Sequence, residues 1–539
     1  MAGGWGYHYF LKLKPRKYYH AKSDDNITIK KICLTLHFGF GGLILPKELN
    51  LFRMSPFVVL SIVLAYFLLL IAISRLTGKD RSSAAFFLAN RKSPWFVVAF
   101  GMIGATLSGV TFISIPGWVG ESSLSYMQMV LGFLVGYYIV ANVLMPLYYR
   151  LNLTSIYSYL DMRFGNSSYK TGAMFFLLSR LLGASFRVYL MAGVLQLTVS
   201  DAWAIPFYGT VAMTILLIWL YTFRGGIKTI VWTDTLQTFF MLVAAGATVW
   251  ALAGELGTGF SGMVSQIYES EYSRVFYFDD WKDSRHFAKQ FIGGIFMVIA
   301  MTGLDQDMMQ KNLSCRNISE AKKNMYWFSI VLVPVKLLLL SLGVLLLVFI
   351  SHNGIAIPER ADDIFPVIAT QGYLPAWITV FFIIGLVAAT YSSADSTLTA
   401  LTTSFTIDIL GAGSRPEQEL IRTRTIVHAG MAVALGVIIV FFRVLNDQSI
   451  IGALFTAAGY TYGPLLGMFA FGLFSRHGVR DRLVPYIAVF SPVLTYLLDS
   501  NSEAILGGYS FGYEILLVNG FFTFAGLYLI RSRTGKNFI

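Results

Sequence analysis

The sequence is short of the groups that soluble enzymes use. Only 13 % of its 539 residues are charged, about half the share found in soluble domains, so a water-exposed surface of normal extent is excluded. It has two cysteines, Cys33 and Cys315, which rules out a disulfide framework; the topology set out below also places them on opposite sides of a membrane, where they do not pair. The seven histidines are scattered and nowhere fall at metal-ligand spacing. No nucleophile and base recur at a spacing that a known catalytic motif requires, so the chain reads as no enzyme.

Apolar residues make up 56 % of the chain and its mean hydropathy is +0.63. Together these predict an all-α polytopic membrane protein whose solvent is the lipid bilayer of a cell membrane. The net charge of +12 is no nucleic-acid signal, because the basic residues lie in short loops between apolar segments, and no obligate protein partner is evident. Segments of spanning length fall at about 55–76, 94–118, 124–148, 169–198, 203–222, 229–252, 287–307, 324–350, 375–403, 421–443, 449–474, 482–499 and 511–530, which makes about thirteen transmembrane helices.

Loops 77–93 (Lys79, Arg81, Arg91, Lys92), 308–323 (Lys311, Arg316, Lys322, Lys323), 412–424 and 475–482 are basic, as is the tail with Arg531, Arg533 and Lys536. Loops 253–284 and 352–374 are acidic. The positive-inside rule then puts the C-terminus in the cytoplasm and the start of the first helix outside. Residues 1–53 are polar and basic and form neither a signal peptide nor a span. They read as a start placed too far upstream, with Met54 the true first residue, or as a disordered extension of the transmembrane domain 54–539.

The second segment contains Gly101, Gly104, Gly109, Pro116 and Gly117, and the seventh contains Gly293, Gly294 and Gly303. Each leads a group of five segments, about 94–252 and 287–474. Interrupted helices at corresponding places in two halves point to an inverted-repeat transporter with its site between them.

The polar stretch that most needs a reason is Leu386-Val-Ala-Ala-Thr-Tyr-Ser-Ser-Ala-Asp-Ser396, inside the ninth segment. Helical spacing puts Ala389, Ser392, Ser393, Ser396, Thr399 and Thr403 on one face with Asp395 at its edge. Polar and ionisable groups are costly in a membrane and mark ion or substrate paths, so this face predicts a cation site. Three further stretches bear on it: Gly104-Ala-Thr-Leu-Ser-Gly-Val-Thr111, the run from Arg224 to Gln237 that carries Asp234, and Thr302 to Lys311. The fourth segment adds Arg180 and Arg187.

These stretches resemble the sodium:solute symporter family over nearly all of 54–539. The resemblance rests on Phe86-Phe-Leu-Ala-Asn-Arg91, on Gly225-Gly-Ile-Lys with Trp232-Thr-Asp234, on Asp305-Gln-Asp307 with Gln310, on Ser392-Ser393 with Phe405-Thr-Ile-Asp408, and on Gly459 with Gly463-Pro-Leu-Leu-Gly467. It implies a five-plus-five inverted-repeat symporter fold. It also implies Na⁺-coupled import of a small organic solute, a carboxylate-bearing one such as sialic acid or another acidic sugar; the alternative is Na⁺- or H⁺-coupled symport of a neutral sugar or amino acid. By the same resemblance a Na⁺ site takes the carbonyls of Gly104, Leu107 and Ala389 and the hydroxyls of Ser392 and Ser393. A possible second Na⁺ site takes Asp234, Ser392, Asp395 and Ser396, and Asp395, a departure from the family pattern, holds either a cation or a proton beside Asp234. The solute site takes Thr106, Ser108, Thr111, Gln128, Arg187 and Phe296. A guanidinium binds a carboxylate bidentately, so Arg187 either holds an anionic solute or pairs within the protein.

Overall fold

The computed structural model describes residues 55–77, 82–445 and 450–532. The predicted extension 1–53, Cys33, the loop residues Lys79 and Arg81, the tail residues Arg533 and Lys536, and the first residue of the span placed at 449–474 lie outside them. Among the described residues the chain is helical almost throughout, apart from a short ladder of Gly478–Val479 against Arg531–Ser532.

The helices in chain order are α1 (Pro56–Thr77), α2 in two parts (Trp95–Thr106 and Gly109–Ser122), α3 (Tyr126–Arg150), α4 (Asn166–Trp203), α5 (Phe207–Phe223) and α6 (Gly226–Glu255). They continue with α7 in two parts (Phe287–Gly303 and Gln306–Leu313), α8 (Ile318–His352), α9 (Ala376–Ile409), α10 (Glu417–Leu445), α11 (Ile450–Phe474), α12 (Val484–Ser500) and α13 (Ile515–Leu529). Among the described residues eight helices are long and apolar enough to cross a membrane alone, and the bent pairs α2 and α7 raise that to ten. The shorter α5 and α13, with α11, coincide with the remaining predicted segments.

The two bends fall where the sequence offers the backbone other partners. The halves of α2 meet at 55°. Leu107 (φ −88°, ψ 70°) and Ser108 (φ −68°, ψ 172°) leave the helical region between Thr106 and Gly109; hydroxyl residues and glycine are weak helix formers there. The halves of α7 meet at 65°, where Asp305 takes an extended conformation and caps the second half by accepting from the Met308 amide at 3.1 Å. Between α5 and α6, Gly226 sits at φ +50°, a region that favours glycine.

This second half of α7 corrects one expectation. Residues 308–313 are no loop: the chain restarts as a helix after Leu304 and stays inside the protein, so Lys311 is 1 % exposed. The loop begins only after Leu313.

Helix α9 is the most enclosed of the single spans, and every residue from Gly385 to Ser404 is buried. It packs along α6 and also against α2, α4 and α10. Its polar face therefore meets protein, as the cost of bare polar groups in lipid requires. By contrast α10 and α12 are mostly unburied apolar helices, as a lipid-facing position demands.

The loops sort onto two faces. Ser93 bridges to Cys315, Arg91 Nη2 donates to the Leu153 carbonyl, the Ser83 amide donates to Glu417, the Ser167 and Ser168 amides donate to Asp481, and Gly478 pairs with Ser532. The described parts of the predicted basic loops are thus joined on one face. On the other face, Lys282 Nζ donates to Gly507 O and Lys289 Nζ to Ser510 O, which ties the acidic loop 253–286 to the segment before α13.

Candidate functional site

The bend in α2 lies against α9. Ser393 Oγ donates to the Ala105 carbonyl at 3.2 Å and to the Ala389 carbonyl at 3.5 Å. Ala105 is in the last turn before the bend, where a helix end leaves carbonyls outside its ladder. The structure therefore brings Ser393 and Ala389 to the end of the first half of α2, with Leu107 buried at the bend itself. Gly104 packs closely on α6, where a Cβ would collide with Thr238. Ser392, one residue from Ser393, donates to Asp234 Oδ1 of α6 at 2.6 Å.

Asp234 opens a larger ionic cluster. Its Oδ2 lies 2.8 Å from Lys311 Nζ. Lys311 also stands 4.0 Å from Asp307, which accepts from Ser396 Oγ and, at 3.3 Å, from Thr397 Oγ1. Arg180 grips Asp305 with two donors at 2.5 Å each and lies 3.6 Å from Asp307. The Tyr462 hydroxyl of α11 donates to the same Asp305. Asp395 accepts from the Tyr221 hydroxyl at 2.8 Å and from the Ser396 amide at 2.5 Å. The six ionisable side chains of this core, Asp234, Asp395, Arg180, Lys311, Asp305 and Asp307, are at most 5 % exposed. A buried charge is tolerated when it is paired and hydrogen-bonded; five of them are ion-paired, and Asp395 has hydrogen bonds alone. In the sequence Arg180 stands near the site with no role of its own, and Lys311 falls within a predicted loop. The signal that was there to find is the spacing Asp305, Asp307, Lys311, which puts an acid and a base four residues apart on one helix face.

The residues expected to hold the solute fall into three groups. Arg187 of α4 is 8 % exposed and makes no hydrogen bond or ion pair among the described residues; its Nε is buried without a partner. Thr106, at the bend, has a buried hydroxyl without a partner, Ser108 is buried, and Thr111 Oγ1 donates to the Thr106 carbonyl at 3.4 Å. Two further orphaned hydroxyls join them, Ser114 of α2 and Thr390 of α9, and Thr390 sits against Gly109. Buried polar atoms are almost always satisfied; these four orphans lie on α2, α4 and α9, which pack against one another.

Gln128 belongs elsewhere. Its Nε2 donates to the Ser125 and Arg285 carbonyls at 3.3 and 2.8 Å, and its Oε1 accepts from the Tyr277 amide at 3.1 Å. Its amide fastens the acidic loop to α3. Phe296, half-buried on the first half of α7, packs on the apolar core.

Residues 86–479 match the sodium:solute symporter family. The sodium/sialic acid symporter NanT of Aliivibrio fischeri is 27 % identical over 435 residues, covering 77 % of this chain and 83 % of that protein. The sodium-coupled monocarboxylate transporter 1 of Homo sapiens is 26 % identical over 74 % of this chain, which spans 65 % of that longer protein. Among solved structures, the substrate-bound outward-open state of a Na⁺-coupled sialic acid symporter superposes with a TM-score of 0.74 at 19 % identity, covering 88 % of this chain and 99 % of that one. The fold is that of a Na⁺-coupled symporter, and the relatives are transporters and not enzymes. With more than half its length matched, the chain belongs to the sodium:solute symporter family.

Proposed function

We propose that this chain couples the inward movement of Na⁺ to that of a small carboxylate-bearing solute, of the acidic-sugar class that sialic acid represents. The observation that carries the solute class is Arg187: a guanidinium buried inside a transmembrane bundle with no carboxylate at hydrogen-bond or ion-pair distance among the described residues is costly unless a closer anion arrives with the cargo. The orphaned hydroxyls of Thr106 and Ser114 offer hydrogen bonds to the remainder of a polar solute. Gln128 is left out, because its amide already serves the loop.

Na⁺, itself cargo, binds where the α2 bend meets α9. Leu107, Ala389 and Ser393 supply oxygens there, with the Ala105 carbonyl beside them. These ligands are neutral, so the site carries no uncompensated charge when the ion leaves. An ion held by both helices favours the arrangement in which they touch, and the solute then meets an ordered bend. The groups 94–252 and 287–474 are the two halves that move against each other, with the bends of α2 and α7 as their matched interruptions. The basic face lies in the cytoplasm and the acidic face outside, so that α1 begins outside. A Na⁺ moving down 100 mV contributes about 2.3 kcal/mol.

The test is uptake of sialic acid into proteoliposomes with and without an inward Na⁺ gradient. Uptake should require Na⁺. Arg187→Gln should remove about 2–5 kcal/mol of solute binding, read as a rise of at least roughly 30-fold in half-saturating solute, with Na⁺ binding kept. Uptake of neutral sugars or amino acids only, unaffected by Arg187→Gln, would sink the carboxylate assignment.

A further inference from the structure

We propose that the Lys311 ammonium is the resident cation of the site between α6 and α9, standing where a second Na⁺ would otherwise bind. The inference rests on the Na⁺-coupled reading above and narrows it.

Four side chains, Asp234, Ser392, Asp395 and Ser396, offer oxygen to a cation in this place. Every one of them already has a partner. Asp234 Oδ2 faces Lys311 Nζ at 2.8 Å, and its Oδ1 accepts from Ser392 Oγ at 2.6 Å. Ser396 Oγ donates to Asp307, on the same helix half as Lys311. Asp395 Oδ1 accepts from the Ser396 amide and its Oδ2 from Tyr221. A hard cation needs several oxygen lone pairs directed at it. Here the hydroxyls of Ser392 and Ser396 direct their protons to carboxylates, and the positive charge beside Asp234 comes from the protein, while Asp395 is held by neutral donors.

An ammonium and Na⁺ carry the same charge, and two such cations against one carboxylate repel. Lys311 reaches the site because the second half of α7 restarts at Asp305 and runs inward; without that bend its side chain would stand in the loop. Asp307, one turn earlier on that half, lies 4.0 Å from Nζ and keeps the ammonium flanked by two acids. Arg180 is closed on Asp305, and the ion pair that Asp234 makes is with Lys311. A tethered cation does not exchange with solution. It travels with α7, so the electrical driving force of the cycle is that of the Na⁺ at the α2 bend alone.

The experiment is equilibrium binding of ²²Na⁺ to the purified full chain in nanodiscs, with choline as the balancing cation. Lys311→Gln should bind one Na⁺ more per chain than the wild type, and Lys311→Arg the same number as the wild type. In the wild type, Asp234→Asn should leave the Na⁺ count unchanged. Should Lys311→Gln fail to fold, the Asp234→Asn comparison decides by itself: loss of one Na⁺ there means that the ion already sits beside Asp234, and the proposal falls. Equal counts for Lys311→Gln and the wild type overturn it as well. A wild type that binds no Na⁺ defeats the Na⁺-coupled reading, and the difference between Lys311→Gln and wild type still judges Lys311.

Discussion

Ser392 and Ser393 are adjacent in the chain and about 100° apart around α9, and that rotation sends them to different partners. Ser393 reaches a carbonyl at the α2 bend, while Ser392 supports Asp234 on α6. The first is therefore the residue whose loss should read out as weakened Na⁺ binding. Ser393→Ala is expected to raise the Na⁺ concentration for half-maximal uptake about tenfold, the equivalent of ~1.4 kcal/mol for one oxygen ligand, with solute affinity at saturating Na⁺ little changed. An unaltered Na⁺ dependence would remove Ser393 from the ion site. Arg180 and Arg187 make the parallel point for charge. They lie two turns apart on one helix, yet one is locked onto Asp305 and the other makes no ion pair among the described residues. Residue type alone predicts neither state.

At the scale of elements, function depends on where helices stop. The bends in α2 and α7 release backbone groups and re-aim side chains inside the bundle, and the break between α5 and α6 sets where Asp234 begins its helix. That last break hangs on Gly226, whose left-handed backbone would strain any other residue and whose missing Cβ leaves room for the Phe86 carbonyl, 2.5 Å from where that atom would lie. Gly226→Ala should destabilise the protein by about 1–3 kcal/mol, measured as a lower Tm in detergent. It should also weaken Na⁺-dependent uptake beyond what the Tm loss explains, because α6 carries Asp234. A variant of wild-type Tm would show that the turn relaxes without strain.

For the whole molecule, the joined basic loops and the opposite acidic loop make an orientation that labelling can check. Glu271 and Arg316 are exposed on the two faces. In a background without other cysteines, Glu271→Cys should react with a membrane-impermeant maleimide in intact cells, and Arg316→Cys only after permeabilisation. The reverse pattern would invert the assignment. The same two-faced arrangement explains why so few charges suffice: most lie at the rims or in one internal cluster, with Arg187 and Lys336, the latter buried midway along α8, as exceptions.

Whatever depends on a run of residues is legible in the chain alone: the thirteen apolar segments, the sign of each loop, the weak helix formers at the two bends, and the polar face of α9. Hydropathy and helical period are local properties, so they are legible one segment at a time. Only the tertiary structure decided which polar groups meet. That Lys311 lies inside and not in a loop follows from the 65° bend of α7, that Gln128 serves a loop follows from the packing of residues 277–285 on α3, and that Asp234 already has a cation follows from contacts made 77 residues along the chain. In lipid, a charge goes wherever another chain segment can neutralise it, and that partner is a matter of three dimensions.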